Sequence, residues 1–196
     1  MVKAVVGLGN PGRKHRNNRH NLGFVVANYL CEKIGGNFKK RDSLYELAEV
    51  RIAEEEIEIL KPSTYMNLSG EAVKNFCQEF GVEPGQILVV CDDTNLPLGK
   101  IRLRTSGSDG GHKGLGSVIT NMETEDFPRL RMGIGPPQPG LSLEEYVLRD
   151  FTEGEIPAAK AMVLRAYEAI ITVVVSGLKE AMNVYNRDPE DVDEEA

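Results

Sequence analysis

The sequence predicts an α/β fold: a single three-layer domain in which a mixed, mainly parallel twisted sheet carries helices on both faces. Three observations point there. Short β-branched runs alternate along the chain with stretches of helical period, the pattern of strands joined by crossover helices. The leading strand runs are apolar almost throughout, as strands covered on both sides must be. A chain of 196 residues with 41% hydrophobic content suffices for one domain with a sizeable core, and no internal repeat or long linker divides it.

Residues 2–8 form the first strand run, β-branched and apolar apart from Lys3. Gly7-Leu8-Gly9-Asn10-Pro11-Gly12 then forces a sharp exit, expected to present Asn10 outward at the strand's carboxyl end. Open α/β sheets commonly build their active sites at that edge. Residues 21–34 read as a helix, entered directly from Arg19 and His20. Residues 47–53 and 57–60 read as strands of a hairpin around Glu54-Glu55-Glu56, and 71–80 as a helix after Tyr65-Met66-Asn67. Residues 87–92 form a buried strand ending in Asp92, with Asp93 beside it. In 100–104 and 129–134 the alternation puts Lys100, Arg102 and Arg104 on one strand face, and Arg129 and Arg131 likewise. Between these strands the glycine-rich loop from Gly107 to Leu115 opens a helix at 116–122, its N–H groups expected to suit a phosphate or a developing anion. The chain closes with helices at 142–148 and 157–185. In the latter the β-branched run 170–175 is read as a buried helix face, because Ala, Leu, Glu and Lys flank it.

The net charge of −7 looks opposed to an anionic partner, but its distribution removes most of the objection. Six carboxylates and no base lie in 188–196, an acidic segment expected to be a disordered tail on a folded unit spanning 1–187. The folded part is then close to neutral, and local basic patches decide its partners. No apolar run approaches the ~20 residues of a membrane span, and the N-terminus lacks a signal-peptide core. Cys31, Cys77 and Cys91 are odd in number and widely spaced, and read as reduced structural thiols of a cytoplasmic protein. Beside Asp92 and Asp93 a Cys91 thiolate is disfavoured, which argues against a cysteine nucleophile.

Six motifs follow one another along the chain: Gly7 to Gly12, Arg19-His20-Asn21-Leu22-Gly23, Tyr65-Met66-Asn67-Leu68-Ser69-Gly70, Asp92 with Leu96-Pro97, Gly110-Gly111-His112-Lys113-Gly114, and Arg129-Leu130-Arg131-Met132-Gly133-Ile134-Gly135. In content, order and overall length the chain resembles the bacterial-type peptidyl-tRNA hydrolase family. The resemblance implies a three-layer α/β domain that cleaves the ester joining a peptide to tRNA, so recycling tRNA from prematurely released peptides. It implies a monomer with no cofactor and no metal, whose partners are the tRNA acceptor end and the peptide backbone.

The residues themselves support that chemistry. Ester hydrolysis needs an activated water, a place for oxyanion charge and a positioned substrate. Imidazole, with an ordinary pKa of ~6.5, suits the base at neutral pH, and His20 is the candidate. Asp92 is suited to hold its other ring nitrogen and stabilise the imidazolium, roles the resemblance also assigns. Asn10 and Asn67 carry amides that both donate and accept, fitted to peptide backbone and water, and by resemblance both line the ester site. His15, Tyr65, His112 and Lys113 complete the expected substrate-binding set. Arg102, Arg104, Arg129 and Arg131 are the expected tRNA phosphate contacts, of which Arg104 and Arg131 match family positions. Lys113 stands where the family usually has Asn, and His15 where it often has Tyr.

Rival readings fare worse. Gly7, Gly9 and Gly12 satisfy G-x-G-x-x-G, but Pro11 alters the turn and no ribose-binding acid ends a second strand, Glu32 falling inside a helix. No serine sits in a G-x-S-x-G elbow. His15, His20, His112, Asp92 and Asp93 lack H-x-x-x-H or H-x-H spacing for a metallohydrolase. A non-catalytic RNA-binding protein on the same scaffold would have no use for a base, whereas Asn10, His20, Asn67 and Asp92 are all present.

Overall fold

The computed structural model describes residues 1–41 and 43–187; the acidic segment 188–196 lies outside the described residues. Strand β1 (Ala4–Gly7) is buried along its whole length. Its alternating side chains feed two cores, Ala4 and Val6 on one face of the sheet and Val5 on the other. The remaining strands are β2 (Lys39–Arg41), β3 (Tyr45–Ile52), β4 (Glu55–Pro62), β5 (Ile87–Asp93), β6 (Ile101–Arg104) and β7 (Arg129–Gly133). They form one seven-stranded sheet in the order β2-β3-β4-β1-β5-β7-β6. The central β4, β1, β5 and β7 run parallel. Antiparallel β2, β3 and β6 finish the two edges.

Helices α1 (Leu22–Lys33), α5 (Ile156–Ser176) and α6 (Leu178–Tyr185) cover one face, and α2 (Ser69–Phe80) and α3 (Lys113–Met122) the other. A short helix, α4 (Leu143–Val147), stands off the sheet. Its start is set by a capping box in which Ser142 accepts from the Glu145 N–H and the Glu145 side chain returns to the Ser142 N–H. This is the three-layer arrangement that alternating strands and helices predict.

Two glycines place α1 against the strand ends. A β-carbon on Gly7 would collide with the Gly23 carbonyl, and one on Gly23 with Leu8 and the Val90 carbonyl. The helix therefore begins in direct contact with the ends of β1 and β5, and the one-turn 3-10 segment Arg19–Asn21 before it is carried onto the same edge. Gly7 and Gly23 thus serve close helix–strand packing.

Four boundaries differ from the sequence reading. The C-terminal helix is broken at Gly177 (φ 89, ψ 161), which ends α5 and starts α6. Ile170, Val173 and Val174 do form a buried face of α5, whereas Val175 is exposed. The β3–β4 hairpin turns at Ala53 and Glu54 alone, with Glu55 and Glu56 paired to Ile52 and Arg51; Ala53 takes a left-handed φ of 53 to do so. Strand β2 is made of exposed Lys39, Lys40 and Arg41 and so carries no hydrophobic alternation to announce it. Helix α3 begins at Lys113, three residues ahead of the expected start, because His112 caps it.

Candidate active site

Asp92 is the penultimate residue of β5, buried at 3% exposure. Two imidazoles converge on it. His20 Nδ1 lies 2.9 and 3.1 Å from the carboxylate oxygens, and His112 Nε2 lies 3.1 Å from Oδ1. The rings are 4.7 Å apart and tilted by 51°. Burial opposes ionisation of Asp92, but the neighbouring His112 and His20 outweigh it through charge and hydrogen bonding and hold the carboxyl well below its usual range.

That geometry assigns both tautomers. An ionised carboxylate only accepts, so the ring nitrogens facing it carry hydrogen. The other nitrogen of His112, Nδ1, accepts from the N–H groups of Gly114 and Leu115, both at 3.1 Å, so His112 is the Nε2–H form. In His20, donation from Nδ1 leaves Nε2 as a lone pair at a ring that lines the main cavity. His112 is therefore the helix cap and the second holder of Asp92, a role nothing in the sequence spacing announced.

The cavity has a volume of about 670 Å³ and is bordered by Asn10, His15, His20, Tyr65, Asn67, Asp92, His112, Lys113 and Arg131. Nine of the expected site residues thus share one hollow. Asn10 sits lower than expected, at 7% exposure. Its Oδ1 accepts from the Met66 N–H at 2.9 Å, and its main chain exchanges two bonds with the Asn21 amide. Asn67 and Tyr65 are exposed, and Asn67 has no hydrogen-bond partner among the described residues. His15 is half-buried, with Nδ1 3.0 Å from Asn18 Oδ1.

Two expectations, on the glycine loop and on Arg129, are corrected. The Gly110-Gly111-His112 loop is not an open anion cradle: Gly111 and His112 donate to Asp109, while Gly114 and Leu115 donate to the His112 ring. Arg129 is 1% exposed. Its guanidinium donates to the carbonyls of Gly107, Ser108, Glu125 and Phe127, so it braces the loop and presents nothing to a phosphate. Arg131 reaches the cavity but pairs with Asp93. Arg102 is half-buried and Arg104 exposed on the adjoining β6, outside the cavity lining. Lys113 pairs with Glu144 of α4 at 3.0 Å, across the mouth of the cavity.

Arg19 has a structural role that its sequence context does not announce. It is 4% exposed, stacks between Tyr146 and Phe151, and donates to the carbonyls of Arg149 and Asp150 and to Glu155. It ties the turn bearing His20 to the segment that follows α4. Its sequence signal is its place at the head of the Arg19-His20-Asn21-Leu22-Gly23 motif, which does not reveal what it touches.

Among the described residues, His20, Asp92 and His112 are the one group of three ligand-type side chains close enough to share a metal, within 4.8 Å. Both ring nitrogens concerned already donate to the carboxylate, so an ion there would have to displace both bonds and flip the protonation of His112 against its two backbone donors. The donor set does not fit a resident metal. Burial, and then Asp92 and Asp93, push the Cys91 thiol far above its ordinary range, which makes it inert.

An imidazole held by a buried carboxylate at the carboxyl edge of a mixed sheet is an arrangement suited to acid–base chemistry on an α/β scaffold. The sequence profile described as Peptidyl-tRNA hydrolase matches residues 4–193. The chain belongs to the peptidyl-tRNA hydrolase family. It is 42% identical over 187 residues to a peptidyl-tRNA hydrolase of Sulfurihydrogenibium sp., covering 95% of this chain and 98% of that one. With its Thermodesulfovibrio yellowstonii counterpart it shares 43% identity over 185 residues, 93% and 98% of the two chains. The crystal structure of peptidyl-tRNA hydrolase from Acinetobacter baumannii superposes with a TM-score of 0.88 at 32% identity over 93% of each chain.

Proposed function

We propose that this enzyme hydrolyses the ester between peptide and tRNA with His20 as general base, Asp92 as its electrostatic partner and His112 as the residue that positions Asp92. Family membership and the whole-length likeness to peptidyl-tRNA hydrolases support the activity. The observation that carries the mechanism is the 2.9 Å contact of His20 Nδ1 with the Asp92 carboxylate, which favours hydrogen on Nδ1 and leaves the Nε2 lone pair for water. A water polarised by Nε2 attacks the ester carbonyl, and its proton moves to Nε2. Asp92 stabilises the imidazolium so formed, and the same proton passes to the departing ribose oxygen. Asn67 and the buried Asn10 supply amides for the peptide main chain and the developing oxyanion, since the glycine loop's N–H groups are largely taken. Recognition through the main chain admits any peptide sequence. The enzyme acts as a cytoplasmic monomer without cofactor, and Arg102, Arg104 and Arg131 meet tRNA phosphates.

The test is to follow ester loss from a blocked aminoacyl-tRNA by the wild type and by His20→Ala. The variant should lose ~10²–10⁴-fold in kcat while tRNA affinity stays near wild type. Activity within threefold of wild type would remove His20 from the mechanism. Prolonged chelation should leave the rate unchanged, and a loss restored by added zinc would favour a metallohydrolase.

A further inference from the structure

A second hollow of about 800 Å³ lies on the other side of the loop that follows β1. The two hollows share Asn10, and the wall between them is the run Arg13-Lys14-His15-Arg16-Asn17. Local geometry sorts those side chains. Arg13–His15 is a 3-10 turn, in which residues three apart eclipse one another. Arg13 and Arg16 accordingly face the outer groove together with Asn17, whereas Lys14 and His15 border the catalytic cavity.

The groove's chemistry is specific. Arg13 and Arg16 are exposed and make no ion pair or hydrogen bond through their side chains with the described residues. The floor is formed by the exposed side of α1, which contributes Phe24, Asn28 and Tyr29. Lys61 closes the far side, held between Glu46 Oε2 and Asn28 Oδ1, each at 2.8 Å. Glu46 is thereby neutralised, and Glu32 is the acid that bounds the groove. Unpaired cations, amides and half-buried aromatic rings in one trough are what a single-stranded nucleic acid engages: phosphates on the arginines, bases on the rings and amides. A duplex, with its bases stacked inside, would use only the arginines.

We infer that this groove takes the single-stranded nucleotides immediately 5′ of the ester-bearing residue of tRNA. The inference rests on the proposed function. If the ester lies at His20, the strand leading to it must leave the cavity within a nucleotide or two, and the basic trough lies just across the wall formed by residues 13–17, with Asn10 bordering both hollows. Arg13 and Arg16 would then act beside the ester, on a surface distinct from the β6–β7 arginines.

The test uses the full chain and its Arg13→Gln/Arg16→Gln double variant, with Arg13→Lys/Arg16→Lys as the charge-preserving control. Binding of a short single-stranded RNA with the tRNA 3′-terminal sequence, of a blunt RNA duplex and of deacylated tRNA is titrated across salt. For the single strand the double glutamine variant should bind roughly tenfold more weakly at low salt. The slope of log affinity against log salt should flatten by about 1.4, from two lost phosphates at ~0.7 each. The lysine pair should recover the slope, and the duplex should show less than half the effect. An unchanged slope and affinity for the single strand overturns the inference. So does an equal loss on a peptidyl ester of adenosine lacking the upstream nucleotides, which would make the groove a peptide site. A wild-type protein that fails to cleave blocked aminoacyl-tRNA fails the underlying reading instead, a separate result.

Discussion

The imidazole–carboxylate cluster and the arginine face of β6 and β7 grow from neighbouring strands of one sheet, yet they use the same kind of residue pattern to opposite ends. Around Asp92, residues 72 and 20 positions apart in the chain converge on one carboxylate, and His20 Nε2 is the one ring nitrogen of the two imidazoles left without a protein partner among the described residues. On β6 and β7 the register sets Arg102 opposite Arg131 and Arg104 opposite Arg129, so four arginines share one face of two strands. Their fates divide all the same. Arg129 is sealed among carbonyls, Arg131 is half committed to Asp93, and Arg102 and Arg104 stay open. The difference teaches that alternation fixes which side a residue faces, but depth is set by what the intervening loop folds over it. Here the segment from Gly107 to Phe127 folds over Arg129.

The largest way to break this comparison is at Asp92. Asp92→Asn keeps the shape of the side chain and removes the charge. Its amide nitrogen, placed where Oδ2 stands 3.1 Å from His20 Nδ1, would oppose that N–H and favour the tautomer with hydrogen on Nε2. His112 cannot relax to compensate, because its Nδ1 is tied to two backbone donors. We expect kcat to fall ~10²–10⁴-fold with KM little changed. Equal kinetics would mean that the carboxylate merely fills space. The same variant sharpens a stability test. Since Asp92 is held below its unfolded value of ~3.9, its contribution is complete above that pH and is lost as pH falls toward the folded value. Denaturation midpoints followed from pH 6 down to 3 should therefore fall more steeply for wild type than for Asp92→Asn. Parallel curves would contradict the depressed pKa.

Next in size is the contrast within the arginine face itself. Arg129→Ala should destabilise the fold by about 2–4 kcal/mol, read from urea midpoints, because it removes the guanidinium donor from four carbonyls and leaves a void. Arg104→Ala should leave the midpoint within ~0.5 kcal/mol. It should instead weaken tRNA binding, with a salt slope shallower by ~0.7–0.9 for one lost phosphate contact. If Arg129→Ala retained full stability and lost tRNA affinity, the buried reading of that side chain would fail.

How much of this was legible in the chain follows from the same distinction. The strands of the parallel centre, the three-layer architecture and the meeting of Asn10, His20, Asn67 and Asp92 could be read because apolar runs and ordered motifs encode them directly. Three features could not. Strand β2 is an exposed basic edge that joins β3 through its backbone and an Arg41–Glu49 ion pair, with no apolar side chain to mark it. The His112 cap depends on a ring rotamer that residue identity does not specify. The Arg19 brace reaches residues about 130 positions away, beyond any local pattern.

The smallest expected effect belongs to Lys113. The sequence places it at a helix start, where a cation would meet an approaching phosphate. The structure pairs it instead with Glu144, both side chains being well exposed at 62% and 68%. Such a pair contributes ~0.2–1 kcal/mol, and salt weakens it further. An incoming tRNA phosphate therefore competes with Glu144 for the lysine on nearly equal terms. Lys113→Asn should bind tRNA about 1.4-fold to fivefold more weakly at low salt, the range those energies imply, with kcat unchanged. Glu144→Gln, which frees the lysine, should bind about as much more tightly. Both differences should vanish at high salt. If Glu144→Gln binds no tighter than wild type at low salt, Lys113 does not reach the phosphate, and the pair serves only to tie α3 to α4 across the cavity mouth.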